Sequence, residues 1–255
     1  MRIKSDLGPA FDHEWQARFQ RFGRNYVTEH AVSGWSAEGL GRRCRLFQKL
    51  FEDLSLGTSA RVLELGCGAG TYVRYLAGRG HQVVGVDYAM PSLQRAVESD
   101  PVRAGQYVVA DGYALPFGRD SFDLVVCIGV LQTLGRAESL LEEITRVLRP
   151  RGVTVIETLN ALCSSALMKR LHEIVGNRPP RLRFYSPSQV RRSLGRRELQ
   201  VLRRVAVYLP PRRLPSLGRL LDRPATIDLL ESVPGAALLG AHAFWWVGRK
   251  ASGGR

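Results

Sequence analysis

The chain has 255 residues, 45% hydrophobic and 24% charged, values ordinary for a globular protein and enough for one α/β domain with a sizeable core. Its four cysteines (Cys44, Cys67, Cys127 and Cys163) stand far apart without a C-x-x-C pair, which argues against a disulfide framework or a metal site and for buried thiols in a reducing interior. The net charge of +14 falls almost wholly on residues 151–255, where 19 Lys and Arg face 6 Asp and Glu. Such a half suits an anionic partner (a phosphorylated small molecule, a lipid surface or RNA), unless it is only a solvated basic face.

Residues 1–30 hold Asp6, Asp12, Glu14 and Glu29 and lack the apolar core of a secretory signal. The longest apolar run, Val233 to Gly248, is broken by Pro234 and His242 and is short for a membrane span. We expect a soluble, cytoplasmic chain.

Residues 1–56 read as a helical cap. Trp15, Phe19 and Phe22 share one helix face, and Leu40, Cys44, Phe47, Phe51 and Leu54 another. Both stripes suit packing on a main domain. The link between them holds Tyr26, His30 and Trp35 and could form part of a lid over a pocket.

Arg61 to Leu65 then has the length of a buried parallel strand. Glycines follow at every second position, Gly66, Gly68 and Gly70 around Cys67 and Ala69, and Thr71 to Ala77 has helical spacing. A strand running through a glycine turn into a helix brings backbone N–H groups and the helix dipole against a ligand. A dinucleotide fingerprint would need its third glycine at position 71, which is Thr. The pattern present is instead an acid, Glu64, followed by G-x-G-x-G.

Gln82 to Val86 is a second apolar strand, ending in Asp87 and Tyr88. An acid there can accept from both hydroxyls of a ribose; a helix cap before Pro91 is the plainer reading, and the glycine turn upstream favours the ribose. A third strand, Gln106 to Ala110, leads to Asp111, Gly112 and Tyr113. A fourth, Leu124 to Ile128, follows Asp123, which we assign a structural role.

The stretch "VVADGYALPFGRDSFDLVV", together with Glu64 and its glycines, resembles the class I S-adenosylmethionine (SAM)-dependent methyltransferases. It looks like the adenine-binding segment and fourth strand of their small-molecule branch, which includes the ubiquinone and menaquinone biosynthesis methyltransferases. The resemblance implies SAM as cofactor, held by Glu64, Gly66, Cys67, Gly68 and Gly70, with Asp87, Tyr88 and Ile128 nearby. It further implies that the Asp111 carboxylate accepts from the adenine amine while the backbone at Gly112 and Tyr113 meets the ring.

Glu138 to Leu148 is an amphipathic helix ended by Pro150 and Gly152, and Gly152 to Glu157 a fifth strand. Strands alternating with helices over 61–157 predict a doubly wound, mostly parallel sheet with ligands beyond the strands' carboxyl ends. Further on, Ala161 to Asn177 reads as a helix, Arg178 to Phe184 as a basic loop, and Ser186 as the start of a short helix. Leu199 to Leu209 and Ala243 to Gly248 read as two last strands, which match the antiparallel sheet edge of the family and bring the sheet to seven. We therefore divide the chain into a cap, 1–56, and a core, 57–255, with insertions at about 159–185 and 210–241 on the substrate side.

Methyl transfer from a sulfonium needs a base only if the acceptor is still protonated near neutral pH. The histidines, 13, 30, 81, 172 and 242, are scattered, and His81 falls at the strand end away from the cofactor. Relatives in the family often place a histidine just after the fourth strand, where this chain has Gln132, which can orient an acceptor but not take its proton. His30, Tyr26 and Tyr185 are the remaining candidates, and no base is assigned. For the acceptor we single out Trp35, Gln132, Arg178, Arg181 and Arg183.

RNA would use the basic half, yet its basic segments hold few aromatics and no RNA-binding module is visible. Residues 214–241 could instead rest on anionic lipid. The expectation is a SAM-dependent methyltransferase acting on a small organic acceptor, with O-methylation preferred. The rivals are an RNA methyltransferase, a SAM-binding protein without catalysis and, disfavoured by Thr71, a nicotinamide-dependent oxidoreductase.

Overall fold

The computed structural model describes residues 8–54, 56–176, 182–209 and 235–252, with positions 226, 229, 230, 232 and 233. Three helices come first: α1 (Gly8–Asn25), the short α2 (Glu29–Val32) and α3 (Ala37–Asp53). The sheet then begins with β1 (Arg61–Leu65), α4 (Thr71–Ala77), β2 (Gln82–Asp87), α5 (Met90–Glu98), β3 (Gln106–Val109) and β4 (Phe122–Cys127). After it come α6 (Ala137–Val147), β5 (Leu148–Leu159), α7 (Ser164–Val175), α8 (Pro187–Gly195), β6 (Leu199–Val207), α9 (Ala236–Gly240) and β7 (Ala243–Lys250).

The seven strands lie in the order β3-β2-β1-β4-β5-β7-β6. The first five are parallel, and β7 runs antiparallel between β5 and β6. The order reverses between β1 and β4, so a crevice opens at the carboxyl ends of these two strands. The central strands β1 and β4 are buried on both faces, as their largely apolar sequences require, while the edge strand β3 is partly exposed. Successive β7 residues split between the two faces: Trp245 packs with Phe47 and Val62 on one side, Phe244 and Trp246 with Leu140 and Ile144 on the other.

The chain beyond β5 departs from the expected boundaries. The helix foreseen from Ala161 starts at Ser164, because Asn160 turns the chain first. Its side-chain oxygen accepts from Leu162 N at 3.0 Å, and its amide donates to the carbonyls of Leu238 and Ala241. The fifth strand is longer than expected, since Leu148 already pairs with Phe122 before the register shifts and resumes at Val153. Ser186 caps α8 with a reciprocal Gln189 contact, as the Ser-Pro start implied. Of the expected insertions, Arg178, Arg181 and residues 210–225 lie outside the described residues. Among the described residues no helix is long and apolar enough to cross a membrane.

Candidate functional site: an inner pocket beside a larger cleft

The glycine turn is locked by its own backbone. Gly66 and Cys67 both donate to the Val86 carbonyl, at 2.7 and 3.0 Å, which ties the turn to the end of β2. Gly66 has φ of +69°, and a β-carbon there would come within 2.3 Å of a Val130 methyl, so neither the conformation nor the space admits a side chain. Gly68 donates to Asp87 Oδ2 at 3.0 Å.

Asp87 thus serves the turn as well as facing the pocket. Its other oxygen, Oδ1, accepts from Ala89 N at 2.8 Å. The helix-cap and ligand readings of this residue are compatible, because each carboxylate oxygen keeps a second lone pair. Burial pushes the Asp87 carboxyl up, and the donors at Ala89 and Gly68 oppose that shift. Glu64, at the end of β1, is 4% exposed, and its Oε2 has no hydrogen-bond partner. Burial pushes its carboxyl well above the usual range, with Asp87 acting in the same direction and a Val73 backbone donor and Arg74 opposing.

Thr71, where a third glycine would stand in a dinucleotide site, has a different task. Its hydroxyl donates to Glu29 of α2, and Arg74 pairs with the same carboxylate while donating to the Ala69 carbonyl at 2.6 Å. These bonds hold α2 over the glycine turn. α1 closes from the other side: Tyr88 OH donates to the Trp15 carbonyl at 3.2 Å, and buried Asp12 accepts from Gly135 N and Tyr113 OH at 2.6 and 3.0 Å. Nothing in the periodicity of α1 marked Asp12, the one buried acid on that helix; its partners are more than 100 residues away.

Two connected spaces result. The inner pocket is lined by Glu64, Gly66, Cys67, Gly68, Asp87 and Tyr88, and by Asp111, Gly112, Tyr113 and Ile128. Of the expected cofactor residues only Gly70 is not on its wall; it begins α4 with φ of +75°. The Asp111 carboxylate accepts from Tyr113 N at 2.9 Å, and the Tyr113 ring lies under Arg136. The outer cleft has a volume of about 1050 Å³. Trp15, Phe19, Ser33, Trp35, Gly129 and Thr133 border both spaces.

The acceptor candidates divide. Trp35 and Gln132 are on the outer wall, Gln132 buried with its Oε1 unpartnered. Tyr26 is 44% exposed, against Phe22, and His30 contacts Thr28, so neither borders either space. Tyr185 donates to the Leu131 carbonyl at 3.1 Å and packs, partly buried, against the core. Arg183 is likewise not on the wall; its guanidinium donates to the carbonyls of Leu134 and Gly135 and braces the turn after β4. His81 accepts from Ala60 N at the amino end of β2, away from the pocket. Residues the sequence did not single out take their place on the cleft: Arg43, Lys169, Phe184 and His242. No group of acids, cysteines and histidines among the described residues could hold a metal ion.

A doubly wound sheet with an antiparallel edge strand, a glycine turn after β1 and an acid ending β2 defines a class I methyltransferase architecture. The comparisons agree. Residues 63–156 match the methyltransferase domain family. A malonyl-[acyl-carrier protein] O-methyltransferase of Salmonella typhimurium is 36% identical over 121 residues, 47% of this chain and 46% of that one. An uncharacterized methyltransferase of Synechocystis is 34% identical over 145 residues, 56% of this chain and 68% of its own length. A ubiquinone biosynthesis O-methyltransferase of Bradyrhizobium diazoefficiens is 31% identical over 122 residues, covering 46% of this chain and 47% of that one. The chain belongs to the class I SAM-dependent methyltransferase family. It spans less than half of the Salmonella relative and 26% of a Cellvibrio japonicus bifunctional biotin biosynthesis protein.

Solved structures share the fold. A Pyrococcus horikoshii protein superposes with a TM-score of 0.63 at 18% identity, over 90% of this chain and 98% of that one. The [4+2]-cyclase SpnF superposes with a TM-score of 0.61 at 22% identity, over 82% and 81%. A protein named as a cyclase on this scaffold shows that fold alone does not fix the reaction.

Proposed function

We propose that the chain is a cytoplasmic SAM-dependent methyltransferase that methylates an oxygen of a small organic acceptor. The observation that carries this reading is the inner pocket itself. Three acids, Glu64, Asp87 and Asp111, surround a glycine turn there, and one of them is buried with an unpartnered oxygen. Phosphates would be repelled by such a wall, whereas a cationic, hydroxyl-bearing nucleoside suits it.

In this reading Glu64 holds the cationic amino-acid end, Asp87 the ribose hydroxyls and Asp111 the adenine amine, with the backbone at Gly112 and Tyr113 beside the ring. SAM supplies an activated methyl group. The chain supplies the rest: α1 and α2 exclude water from the pocket, and Trp35, Thr133 and Gly129 bring the acceptor from the outer cleft to the pocket's open side. Helices α1 to α3 act as the cap, and α7 with Leu182 and Phe184 forms the acceptor-side insertion. The relatives named as O-methyltransferases support oxygen as the acceptor atom.

The test is transfer of label from methyl-labelled SAM into a cell extract separated into small molecules, lipids, RNA and protein. Label in the small-molecule or lipid fraction is expected. Label in RNA alone would promote an RNA methyltransferase, and SAM binding without transfer to any fraction would leave a binding protein.

A further inference from the structure

The outer cleft has cations where it lacks a strong base, and that pairing selects an acceptor. Arg43 stands on its wall, 3% exposed, with its guanidinium carbon 4.4 Å from the Trp35 ring centroid. Its Nε and Nη2 both reach one oxygen of Glu157, at 3.0 and 2.9 Å. Glu157 is fully buried, does not border the cleft, and leaves its second oxygen without a hydrogen-bond partner. The arginine therefore stands between its counter-ion and the cleft, and Trp35 fixes its plane.

The rest of the described wall agrees. Arg18, Arg42 and Lys169 stand against Glu38 and Glu173, so positive charge predominates. Glu38 is already paired with Arg42. The one imidazole, His242, is held down at about 4 by burial and by Arg43 beside it, which makes it neutral but a poor proton acceptor. Gln132 cannot take a proton. A phenol or alcohol would reach this cleft still protonated, whereas a carboxylic acid, with a pKa of about 4, arrives as the nucleophile.

We propose, resting on the methyltransferase reading above, that the acceptor atom is a carboxylate oxygen held by Arg43 beside Trp35, and that the product is a methyl ester. A carboxylate lone pair forms the new O–CH3 bond while the methyl–sulfur bond of the donor breaks and its electron pair passes to sulfur. No proton moves, and the carboxylate and sulfonium charges disappear together. Because Arg43 is shared with Glu157, it orients the acceptor without fully quenching its charge.

The experiment uses the full chain with methyl-tritiated SAM, a cell extract, and a series of aliphatic and aromatic carboxylic acids beside the matched alcohols and phenols. Products are treated with alkali, which frees the label of a methyl ester as volatile methanol and leaves ethers intact. Most of the transferred label should become volatile. The charge-free pair Arg43→Met/Glu157→Met should keep SAM affinity within threefold, measured by titration calorimetry, while volatile label falls at least tenfold. Arg43→Lys, which keeps the charge but not the planar fork, should raise KM at least fivefold with kcat near wild type. Alkali-stable label, or undiminished transfer by the charge-free pair, overturns the carboxylate assignment while leaving methyl transfer in place. Failure of the wild type to bind SAM, or binding with no transfer to any acceptor, overturns the methyltransferase reading and this one with it.

Discussion

At the scale of single residues, the two acids that end β1 and β2 differ in what they can lose. Glu64 has an oxygen without a partner and a carboxyl pushed well up by burial. A folded-state value above the unfolded one means the proton is held more tightly when folded. The stability this group contributes is full at low pH and is lost as pH rises through the raised value. Glu64→Gln should therefore raise the melting temperature of the ligand-free protein at pH 8 and weaken SAM binding at least tenfold. Calorimetry and thermal melts of the two proteins check both signs; a lower melting temperature with unchanged affinity would remove Glu64 from the cofactor site. Asp87 is different, because Gly68 and Ala89 both donate to it. Asp87→Ala strips two backbone donors of their acceptor and should cost about 1–3 kcal/mol of stability besides cofactor affinity. Asp87→Asn is the cleaner probe of the ribose role, since it keeps one acceptor oxygen. These acids were legible in the sequence because each ends an apolar run beside a glycine turn. Arg43, Glu157 and His242 were not. A charged residue in a helical stripe or at the end of a strand looks like a solvated one until the fold buries it, and these three meet only across long sequence separations.

At the scale of elements, α1 and α2 are fastened over the pocket by polar ties as well as by apolar contacts such as Phe19 against Tyr88. Asp12 joins α1 to Tyr113 and to the turn at Gly135, and Glu29 joins α2 to Thr71 and Arg74. α1 also lies so close to α5 that a β-carbon on Gly23 would come within 2.5 Å of Ser92 N. Gly23→Ala should therefore displace α1 and speed SAM dissociation several-fold in stopped-flow measurements, with little change in the melting of the sheet. Glu29→Gln should act in the same direction through α2. If dissociation is unchanged in both, the two helices do not close the pocket. The alternation of strands and helices over 61–157 foretold the sheet well, since its strands are short apolar runs punctuated by glycines and acids. The boundaries at α7 and β5 were missed for non-local reasons: the Asn160 turn and the register shift after Phe122 depend on partners in β4 and at α9 that no window of sequence contains.

At the scale of the whole molecule, the Arg43–Glu157 pair is the buried ionic link between α3 and β5, set beside the apolar packing of Phe47 on Trp245. Its partners are 114 residues apart, on α3 and β5, and both are almost wholly buried. Such a pair contributes little net stability compared with apolar replacements, but breaking it from one side strands a charge in the interior. Arg43→Met alone should cost about 3–5 kcal/mol, and Glu157→Met alone a comparable amount. The double variant should return to within about 2 kcal/mol of wild type, because the stranded charge is gone and methionine fills irregular space. Urea denaturation of all four proteins closes the cycle, and a large coupling energy is expected. Losses that simply add would mean that the two side chains do not depend on each other. A stable double variant that still binds SAM would mean that this chain keeps a buried ion pair its stability does not require, and the outer cleft beside Arg43 is where a reason for keeping it would lie.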